Sequence, residues 1–246
     1  MKKNIAIFAS GYGSNFINIF NRISSDSINA SLHLLVSNNV GCNAVKFAKK
    51  NFIDHFIFNK IRFPENDLAN QILINKLEVY RIDLIVLAGY MKKISPEIVR
   101  KFNRKILNIH PSLLPLYAGK GYFGDKVHRA VINSGDTKTG ATVHFIDDCY
   151  DSGPILIQEE VKVNKDDNHH NIARRVLEVE HRIYPKAIKY FCNENIYWNN
   201  DGIPIVNQPG NQNQTRLTVD ENGGIYYVWL DERNNPYPET EIYLQH

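Results

Sequence analysis

Short apolar runs alternate with amphipathic stretches along the first 192 residues. The runs predict β-strands at 4–9, 32–36, 55–58, 83–88, 105–109, 141–146 and 155–163. Apolar side chains at helical spacing, together with a Ser95-Pro96 start signal, predict helices near 16–23, at 43–50 and 66–80, after 95, and at 125–133 and 167–192. Strand and helix units in this order predict an α/β fold: an open, twisted, mostly parallel sheet flanked by helices, of the Rossmann-like kind.

Two of the helices have apolar stripes that predict which side faces the sheet. For the helix at 66–80, the expected inward residues are Leu68, Ile72, Leu73 and Leu77. For the last helix, they are Ile172, Val176, Val179, Ile183 and Ile188. Pro185 lies within this last helix and predicts a kink, because proline lacks the N–H group that a helix interior needs.

The composition changes near Asn193. The segment 194–246 is rich in asparagine, glutamine, proline and tyrosine and lacks helical periodicity. Within it, Asn222-Gly223-Gly224 between two apolar runs predicts a β-hairpin. We therefore predict a catalytic domain at 1–193 and a small β-rich extension at 194–246.

The amino-acid composition is that of a folded protein. Hydrophobic residues make up 43% and charged residues 22% of the 246, which disfavours disordered and fibrous classes. The net charge of +3 is too small for a dedicated nucleic-acid binder. No window reaches the roughly 18 to 20 apolar residues of a membrane span, and the three cysteines form no CxxC pair. We expect a cytoplasmic protein without membrane contact, nucleic-acid partner or cysteine zinc site.

A glycine-containing turn joins the first predicted strand to the first helix. In the segment 11–15 (GYGSN), backbone N–H groups, the Ser14 hydroxyl and the Asn15 amide could face an anion, which predicts phosphate binding. The alternative is a tight turn that only packs helix against strand. Because Phe16 stands where a dinucleotide fingerprint has its third glycine, NAD is disfavoured.

Polar residues also end the predicted strand at 105–109. Asn108 and His110 are two residues apart and are expected on one face of the sheet. An amide beside an imidazole suits the stabilisation of an oxyanion and the movement of a proton, and a satisfied polar pair is the alternative. The long loop at 110–124 that follows is of a length that usually serves a function.

Acidic residues lie in the turn between the last two predicted strands of the sheet. Asp147, Asp148 and Asp151 are, in the simplest interpretation, solvated turn formers. However, loops at one edge of an open sheet meet in a crevice. A carboxylate of this turn could therefore orient His110 and raise its pKa by opposite charge.

Seven segments of the chain have a joint order and spacing that is highly specific. They are FASGYGSNF, LVSNN, LIVLAGYMKKISPEIV, ILNIHPSLLPLY, HRAV, TGATVHFIDDCYDSGPIL and EHRIYP. Together they resemble the folate-dependent phosphoribosylglycinamide formyltransferases of purine biosynthesis over residues 1 to about 192. The resemblance implies that the formyl group of 10-formyltetrahydrofolate, a co-substrate, is transferred to the amine of glycinamide ribonucleotide, with no metal and no covalent enzyme intermediate.

The resemblance also implies roles for individual residues. Asn108 and His110 would stabilise the oxyanion of a tetrahedral intermediate, while Asp151 would hold His110 and assist proton transfer. The residues implied for the ribonucleotide are Gly13, Ser14 and Asn15 at its phosphate and Glu180 at its ribose. Those implied for the folate are Leu87, Met91, Lys92, Lys93, Ile94, Asn108, Ile146, Asp147 and Asp148. Core packing is the alternative for the apolar members and solvation for the lysines, and His144 is expected to be a supporting or core residue.

Four features depart from the family pattern. The loop 116–125 is longer than in many relatives, which affects the placement of His128. Asn66 stands where some relatives have an arginine for the folate glutamate, and Leu177 stands where relatives often have a polar side chain. The extension after residue 193 lies outside the pattern and resembles a single repeat of a β-propeller.

Two other kinds of function stay open from the sequence. The same fold could formylate another amine, of an amino sugar nucleotide or an aminoacyl-tRNA, or could hydrolyse formylfolate. Alternatively, the extension could be the functional module of a binding or scaffolding protein whose enzyme part is inert. The expected partners are the small molecules glycinamide ribonucleotide and formylfolate, with a homodimer left open.

Overall fold

The computed structural model describes residues 1–206, 212–219, 225–231 and 241–245. Its strands are β1 (Lys3–Phe8), β2 (Ala30–Ser37), β3 (Asp54–Ile57), β4 (Leu84–Leu87), β5 (Ile106–His110), β6 (Lys138–Phe145), β7 (Ile155–Lys162), β8 (Ile196–Trp198), β9 (Pro204–Val206), β10 (Gln212–Val219), β11 (Ile225–Asp231) and β12 (Glu241–Gln245). Its helices are α1 (Ser14–Ser24), α2 (Asn43–Lys50), α3 (Asn66–Val79), α4 (Pro96–Lys101), α5 (Asp125–Ser134) and α6 (His169–Cys192). The predicted order of strands and helices up to residue 192 is confirmed, with small shifts at their ends.

A seven-stranded sheet organises the first 194 residues. Its order is β3-β2-β1-β4-β5-β6-β7, with parallel pairing from β3 to β5 and antiparallel pairing of β6 and β7. The predicted open, mostly parallel α/β sheet is therefore confirmed. Phe8, Leu87 and Asn108 pair across β1, β4 and β5, so these three strands reach the same edge of the sheet and direct their following loops there.

The helices pack apolar stripes against the sheet, and one predicted stripe needs correction. All five inward residues predicted for α6 are buried. In α3 the buried residues are Ala69, Leu73 and Leu77. Leu68 is 53% exposed and Ile72 is half-buried, so the prediction for these two residues was wrong. The buried positions follow steps of four residues, which lie on one helix face, and the first is a small alanine that gives a weak apolar signal.

Helix α6 continues through Pro185, whose missing N–H leaves the carbonyl of His181 without its helical donor. The side chain of Asn18 in α1 donates from Nδ2 to this carbonyl at 2.7 Å. A side chain from the neighbouring helix thus supplies the hydrogen-bond donor that Pro185 cannot give to this carbonyl. The kink predicted at Pro185 stays a prediction.

The chain forms two compact units, Met1–Glu194 and Asn195–His246. In the second unit β8 pairs with β9, and β10, β11 and β12 form a three-stranded antiparallel sheet. The pairing of β10 with β11 confirms the predicted strand pair, while the turn Asn222-Gly223-Gly224 lies outside the described residues. Among the helices that the structure describes, none has the length and apolar character needed to cross a membrane.

Candidate active site

The end of β5 supplies two of the predicted catalytic side chains. Asn108 pairs with Leu87 of β4 on one side and with His144 of β6 on the other. Asn108 is half-buried, and His110 is 4% exposed. The strand therefore places an amide and an imidazole close together at the edge of the sheet, with neighbouring strands on both sides.

Asp151 comes from the loop between β6 and β7 and faces two histidines. Its Oδ2 lies 3.7 Å from His110 Nδ1, and its Oδ1 lies 3.8 Å from His144 Nε2. The backbone N–H of Gly119 donates to Oδ2 at 3.0 Å. At these distances the carboxylate acts on both imidazoles through its charge rather than through a hydrogen bond. The structure thus brings Asn108, His110 and Asp151 together.

The tautomer of His144 follows from its two neighbours. Its Nδ1 lies 2.9 Å from the carbonyl oxygen of Phe145, which can only accept, so Nδ1 carries the hydrogen. Nε2 is then the acceptor for the amide Nδ2 of Asn108 at 3.0 Å. Burial lowers the pKa of His144 to about 4, so the ring is neutral at pH 7. In this state His144 orients the Asn108 amide, a supporting position.

The pKa of His110 is lowered, and burial is the main cause. The charge of Asp151 and the carbonyl of Tyr117 both raise this pKa, but their effect is the smaller one. The predicted effect of the carboxylate is confirmed, since the charge of Asp151 raises the pKa of His110. Burial outweighs it because the imidazole is almost fully removed from water, and the net shift is downward. His110 Nε2 donates to the Tyr117 carbonyl at 2.8 Å, which leaves Nδ1 as the nitrogen nearest Asp151.

The long loop after β5 contributes main-chain groups that sequence reasoning missed. It supplies the Tyr117 carbonyl to His110 and the Gly119 N–H to Asp151. The phenol of Tyr117 contacts Ser134 Oγ at 2.6 Å and also donates to Asp136, which anchors the loop at the end of α5. All residue types have a backbone carbonyl, and all except proline have a backbone N–H, so the signal in the sequence was the length of the loop and not a motif.

The sequence left the placement of two residues open: His128, which follows the longer loop, and Leu177, which departs from the family pattern. His128 lies on α5, is 5% exposed, and has a pKa lowered to about 4, mainly by burial. Leu177 is half-buried on α6, three residues before Glu180. His128 thus belongs to the buried side of α5 and not to the surface of the loop.

The glycine turn before α1 has a left-handed backbone conformation at Gly13, which glycine adopts readily. Gly13 occupies the N-cap position with φ +78°, and no side chain caps the helix. A Cβ atom on Gly13 would lie 3.0 Å from the Cβ of Ala44. The first-turn N–H groups of α1, at Ser14 and Asn15, therefore remain available to an anion at a helix N-terminus.

Asn15 and Glu180 form a buried pair between α1 and α6. Asn15 Nδ2 donates to Glu180 Oε2 at 2.6 Å, while Asn15 Oδ1 is buried without a hydrogen-bond partner among the described residues. Burial raises the pKa of Glu180 to about 7, although the hydrogen bond from Asn15 lowers it. The structure thus joins the glycine turn to Glu180, and the unpaired oxygen indicates a place for a donor from a ligand.

The residues predicted for folate lie mainly on two segments, one after β4 and one between β6 and β7. Ile94 and Leu87 are buried, whereas Met91 is 53% exposed and both lysines are exposed. Core packing therefore does not account for Met91. Ser10 Oγ accepts from the N–H of Met91 at 2.8 Å, which fixes this segment to the end of β1.

The second folate segment is the loop between β6 and β7. Asp147 accepts from Cys149 N–H at 3.0 Å and from Ser152 Oγ at 3.1 Å, the contacts of a turn former. Asp148 is exposed, and Ile146 is half-buried. The Nζ of Lys93 lies 5.0 Å from the centre of the Tyr150 ring, so a cation–π contact connects this loop to the segment after β4.

A cavity of about 670 Å³ adjoins the segment after β4. Its lining includes Lys92, Lys93 and Ile94 of the predicted folate residues, together with Lys60 and Phe63. It does not include the catalytic trio or the predicted members Leu87 and Met91. Its walls combine aromatic and aliphatic side chains with three lysines and with the acidic residues Asp67 and Glu97. This mixture suits an aromatic ligand with polar ends.

Comparison with known proteins gives consistent matches over most of the chain. The formyl transferase family profile matches residues 3–188. The chloroplastic phosphoribosylglycinamide formyltransferase of Arabidopsis thaliana is 41% identical over 214 residues, which are 87% of this chain and 73% of that protein. The phosphoribosylglycinamide formyltransferase of Haemophilus influenzae is 36% identical over 189 residues, 77% of this chain and 87% of that protein.

A solved structure gives the same picture. Glycinamide ribonucleotide transformylase 1 from Symbiobacterium toebii superposes with a TM-score of 0.77 at 29% identity, covering 84% of this chain and 95% of that one. Because the plant match spans 87% of the 246 residues, it extends beyond residue 193 into the predicted extension. The comparisons give no support to the β-propeller resemblance of the tail.

Proposed function

This chain belongs to the formyl transferase family, and from that premise we propose that it transfers the formyl group of 10-formyltetrahydrofolate to the amine of glycinamide ribonucleotide, a step of purine biosynthesis. The observation that carries the proposal is the meeting of Asn108, His110 and Asp151 at the sheet edge where β1, β4 and β5 end together. Relatives named for this reaction match at 36% to 41% identity. Their names support the ribonucleotide over other acceptors.

The proposed reaction is a direct transfer. The amine nitrogen bonds to the formyl carbon to give a tetrahedral intermediate, the bond from this carbon to the folate nitrogen breaks, and one proton passes from the amine to that nitrogen. Asn108 donates one amide hydrogen to His144, so its second amide hydrogen is available to the oxyanion. A preorganised donor of this kind is worth roughly 10² to 10³ in rate.

His110 and Asp151 act as a pair in this proposal. The lowered pKa of His110 keeps the imidazole neutral at rest, and Asp151, 3.7 Å from Nδ1, favours a positive charge on the ring when a proton arrives there. Because the two ring nitrogens face Tyr117 and Asp151, His110 contributes its positive charge to the stabilisation of the oxyanion, while Asn108 contributes a hydrogen bond. Asp151 holds His110 and, through water, assists the transfer of the proton from the amine to the leaving nitrogen.

The ribonucleotide is proposed to bind between α1 and α6. Its phosphate would face the first-turn N–H groups at Gly13, Ser14 and Asn15, where a helix N-terminus attracts an anion. Its ribose hydroxyls would hydrogen-bond with Glu180 and with the unpaired Oδ1 of Asn15. This arrangement gives a partner to Asn15 Oδ1, which has none among the described residues.

The folate is proposed to lie along the segment after β4 and the loop between β6 and β7. Leu87 and Ile94 would give apolar contact, and Asn108, Ile146, Asp147 and Asp148 would line the side of the reacting end. Met91, Lys92 and Lys93 are exposed, and the two lysines would attract the glutamate tail. Folate is the co-substrate in this proposal, and no step needs a metal.

A transfer assay with both substrates tests the proposal. Wild-type protein should formylate glycinamide ribonucleotide, and His110→Ala should lose roughly 10² to 10³ in turnover while it still melts cooperatively, at a lower Tm because a buried side chain is removed. His55→Ala, an exposed histidine on β3, is the matched control and should behave as wild type. A wild-type protein that transfers no formyl group, with His110→Ala indistinguishable from it, contradicts the assignment.

The same assay distinguishes the proposed function from the alternative functions. Amino sugar nucleotide, aminoacyl-tRNA and water as acceptors are compared with the ribonucleotide at equal formylfolate concentration. We expect the ribonucleotide to give the highest kcat/KM. A preference for a sugar nucleotide or aminoacyl-tRNA, or formylfolate hydrolysis as the main reaction, would reverse this ranking.

Turnover should fall in acid. Only the unprotonated substrate amine can attack, and His110, whose pKa lies below its ordinary value, takes up a proton only at low pH. The profile of kcat/KM is measured between pH 5 and 8. A flat profile over this range would argue against attack by a free amine in a step that limits the rate.

A further inference from the structure

Three potential metal ligands meet where α5 and α6 begin, away from the residues assigned above. Asp125 is the first residue of α5, and His169 and His170 are the first two residues of α6. One carboxylate oxygen and one ring nitrogen from each histidine all lie within 4.8 Å of one another. The two imidazole rings are 3.9 Å apart between centroids, so both histidines turn to the same side.

The distance between two of these ligands is informative. His169 Nε2 lies 3.6 Å from Asp125 Oδ1, which is too long for a hydrogen bond. Two ligand atoms that bind one tetrahedral zinc ion at its usual bond lengths are about 3.4 Å apart. The pair is therefore spaced as if for one ion and not for a direct hydrogen bond.

A second observation is a buried polar atom without a hydrogen-bond partner at the same place. His169 Nε2 is buried and has no hydrogen-bond partner in the part of the chain that the structure describes. His128, one turn after Asp125 on α5 and 5% exposed, has a buried Nδ1 in the same condition. Buried polar atoms without a partner are rare because each costs free energy, and a bound cation would supply the partner for His169.

We propose that Asp125, His169 and His170 form a binding site for one divalent transition-metal ion of the zinc or cobalt(II) type. Two imidazole nitrogens and one carboxylate oxygen suit such ions better than magnesium or calcium, which prefer oxygen ligands alone. Arg129 donates to the other oxygen of Asp125, Oδ2, at 2.6 Å, so Oδ1 remains for the ion. The positive charge of Arg129 and the two helix N-termini weaken the site, which sets moderate rather than very tight affinity.

The ion would stabilise the fold and would take no part in the chemical step. It would connect the beginning of α5 to the beginning of α6. Helix α5 follows the long loop whose Tyr117 carbonyl binds His110, so the ion would restrain one end of that loop. This inference does not depend on the proposed function, because binding is measured without substrates.

Metal titration of the full chain without an affinity tag tests the site. After treatment with a chelator, the protein is titrated with CoCl₂ and ZnCl₂ by calorimetry, and cobalt absorption is recorded. We expect one ion per chain, a rise in Tm with zinc, and at least tenfold weaker binding in His170→Ala and in Asp125→Asn. Both substituted residues are exposed, so the variants should fold.

Two control variants test whether other side chains bind the metal ion. His55→Ala removes an exposed histidine elsewhere, and Cys149→Ser removes an exposed thiol, and both should bind as wild type. If His170→Ala and Asp125→Asn keep the wild-type affinity, or if Cys149→Ser abolishes binding, the proposal is wrong. Absence of zinc and cobalt binding at millimolar concentration also contradicts it.

Discussion

At the residue scale, the orientation of Asn108 depends on a histidine that takes no part in the proposed chemistry. His144 accepts from the Asn108 amide because its other nitrogen is committed to the Phe145 carbonyl. An amide without this acceptor could rotate and present its oxygen to the oxyanion. The neutral, buried state of His144 is therefore as important as its position.

Replacement of His144 tests this dependence. His144→Leu removes the acceptor and should lower kcat by up to about 10²-fold through misorientation of Asn108, with little change in KM for either substrate. His144→Gln keeps a side-chain oxygen that can accept, and should recover part of the loss. Steady-state kinetics and a thermal melt of both variants are the measurements, and equal activity of Leu and Gln variants would show that the acceptor is unimportant.

Glu180 is the second residue whose state is set by burial. Its pKa rises from the ordinary 4.5 to about 7. In the unfolded chain the carboxyl returns to its ordinary value, so between these two pH values the folded state holds a proton that the unfolded state has released. The stability from this group is therefore fully present below pH 4.5 and is lost as the pH rises through 7.

The variant Glu180→Gln should remove this pH dependence. The wild-type free energy of unfolding should decrease between pH 5 and 8.5 by up to about 3 kcal/mol more than that of the variant. Urea unfolding at the two pH values measures the difference. Parallel behaviour of the two proteins would mean that Glu180 is ionised in the folded state at pH 5.

At the element scale, the turn before α1 combines two demands that only glycine meets. Gly13 has φ +78°, and a Cβ atom there would lie 3.0 Å from the Cβ of Ala44, a contact so tight that Ala44 would have to shift. Its neighbour Gly11 has open space around its Cβ position. The two glycines of the motif therefore have different roles, although the sequence makes them look equivalent.

Alanine at each glycine separates these roles. Gly13→Ala should cost about 1 to 2 kcal/mol of stability from the backbone conformation alone, and should raise KM for the ribonucleotide because the first turn of α1 shifts. Gly11→Ala is the matched control and should change neither quantity noticeably. Thermal melts and initial rates measure both, and equal effects at the two positions would contradict the interpretation.

The pairing of β5 with β6 is the element-scale feature that assembles the site. Antiparallel register places His144 opposite Asn108, and the loop after β6 then returns Asp151 to the same place. A sheet that continued in parallel order would require a crossover there and would carry that loop away. The change of strand direction thus brings the carboxylate of Asp151 to His110 on β5.

At the scale of the whole molecule, the proposed active site lies within one unit. Every residue assigned to catalysis, ribonucleotide or folate belongs to Met1–Glu194. We propose that this unit is the catalytic domain and that the segment from 194 onward is an extension. The extension includes the antiparallel strands β8 to β12.

Truncation tests this division. A chain that ends at Glu194 should keep wild-type kcat and KM for both substrates, because no assigned residue is removed. The ion pair of Glu194 with Lys3, 2.7 Å long, is retained at that end point. Loss of turnover in a truncated protein that still melts cooperatively would show that the extension contributes to the site.

Much of the fold and part of the site could be predicted from sequence. The period of apolar residues reveals strands and helices because each must bury one face, and the errors at Leu68 and Ile72 arose where a small alanine took the buried position. Asn108 and His110 were found because they are polar residues at the end of a strand. Tyr117 and Gly119 were not, since their contribution comes from the backbone.

The sequence by itself determined the order of strands and helices, the family, and the chemical groups available, because these depend on local periodicity and on short motifs. Tertiary structure alone decided the states of those groups. The Asn15–Glu180 hydrogen bond joins residues 165 positions apart, and the net lowering of the His110 pKa reflects burial by several segments. Burial and distance are properties of the packed chain, so no local pattern encodes them.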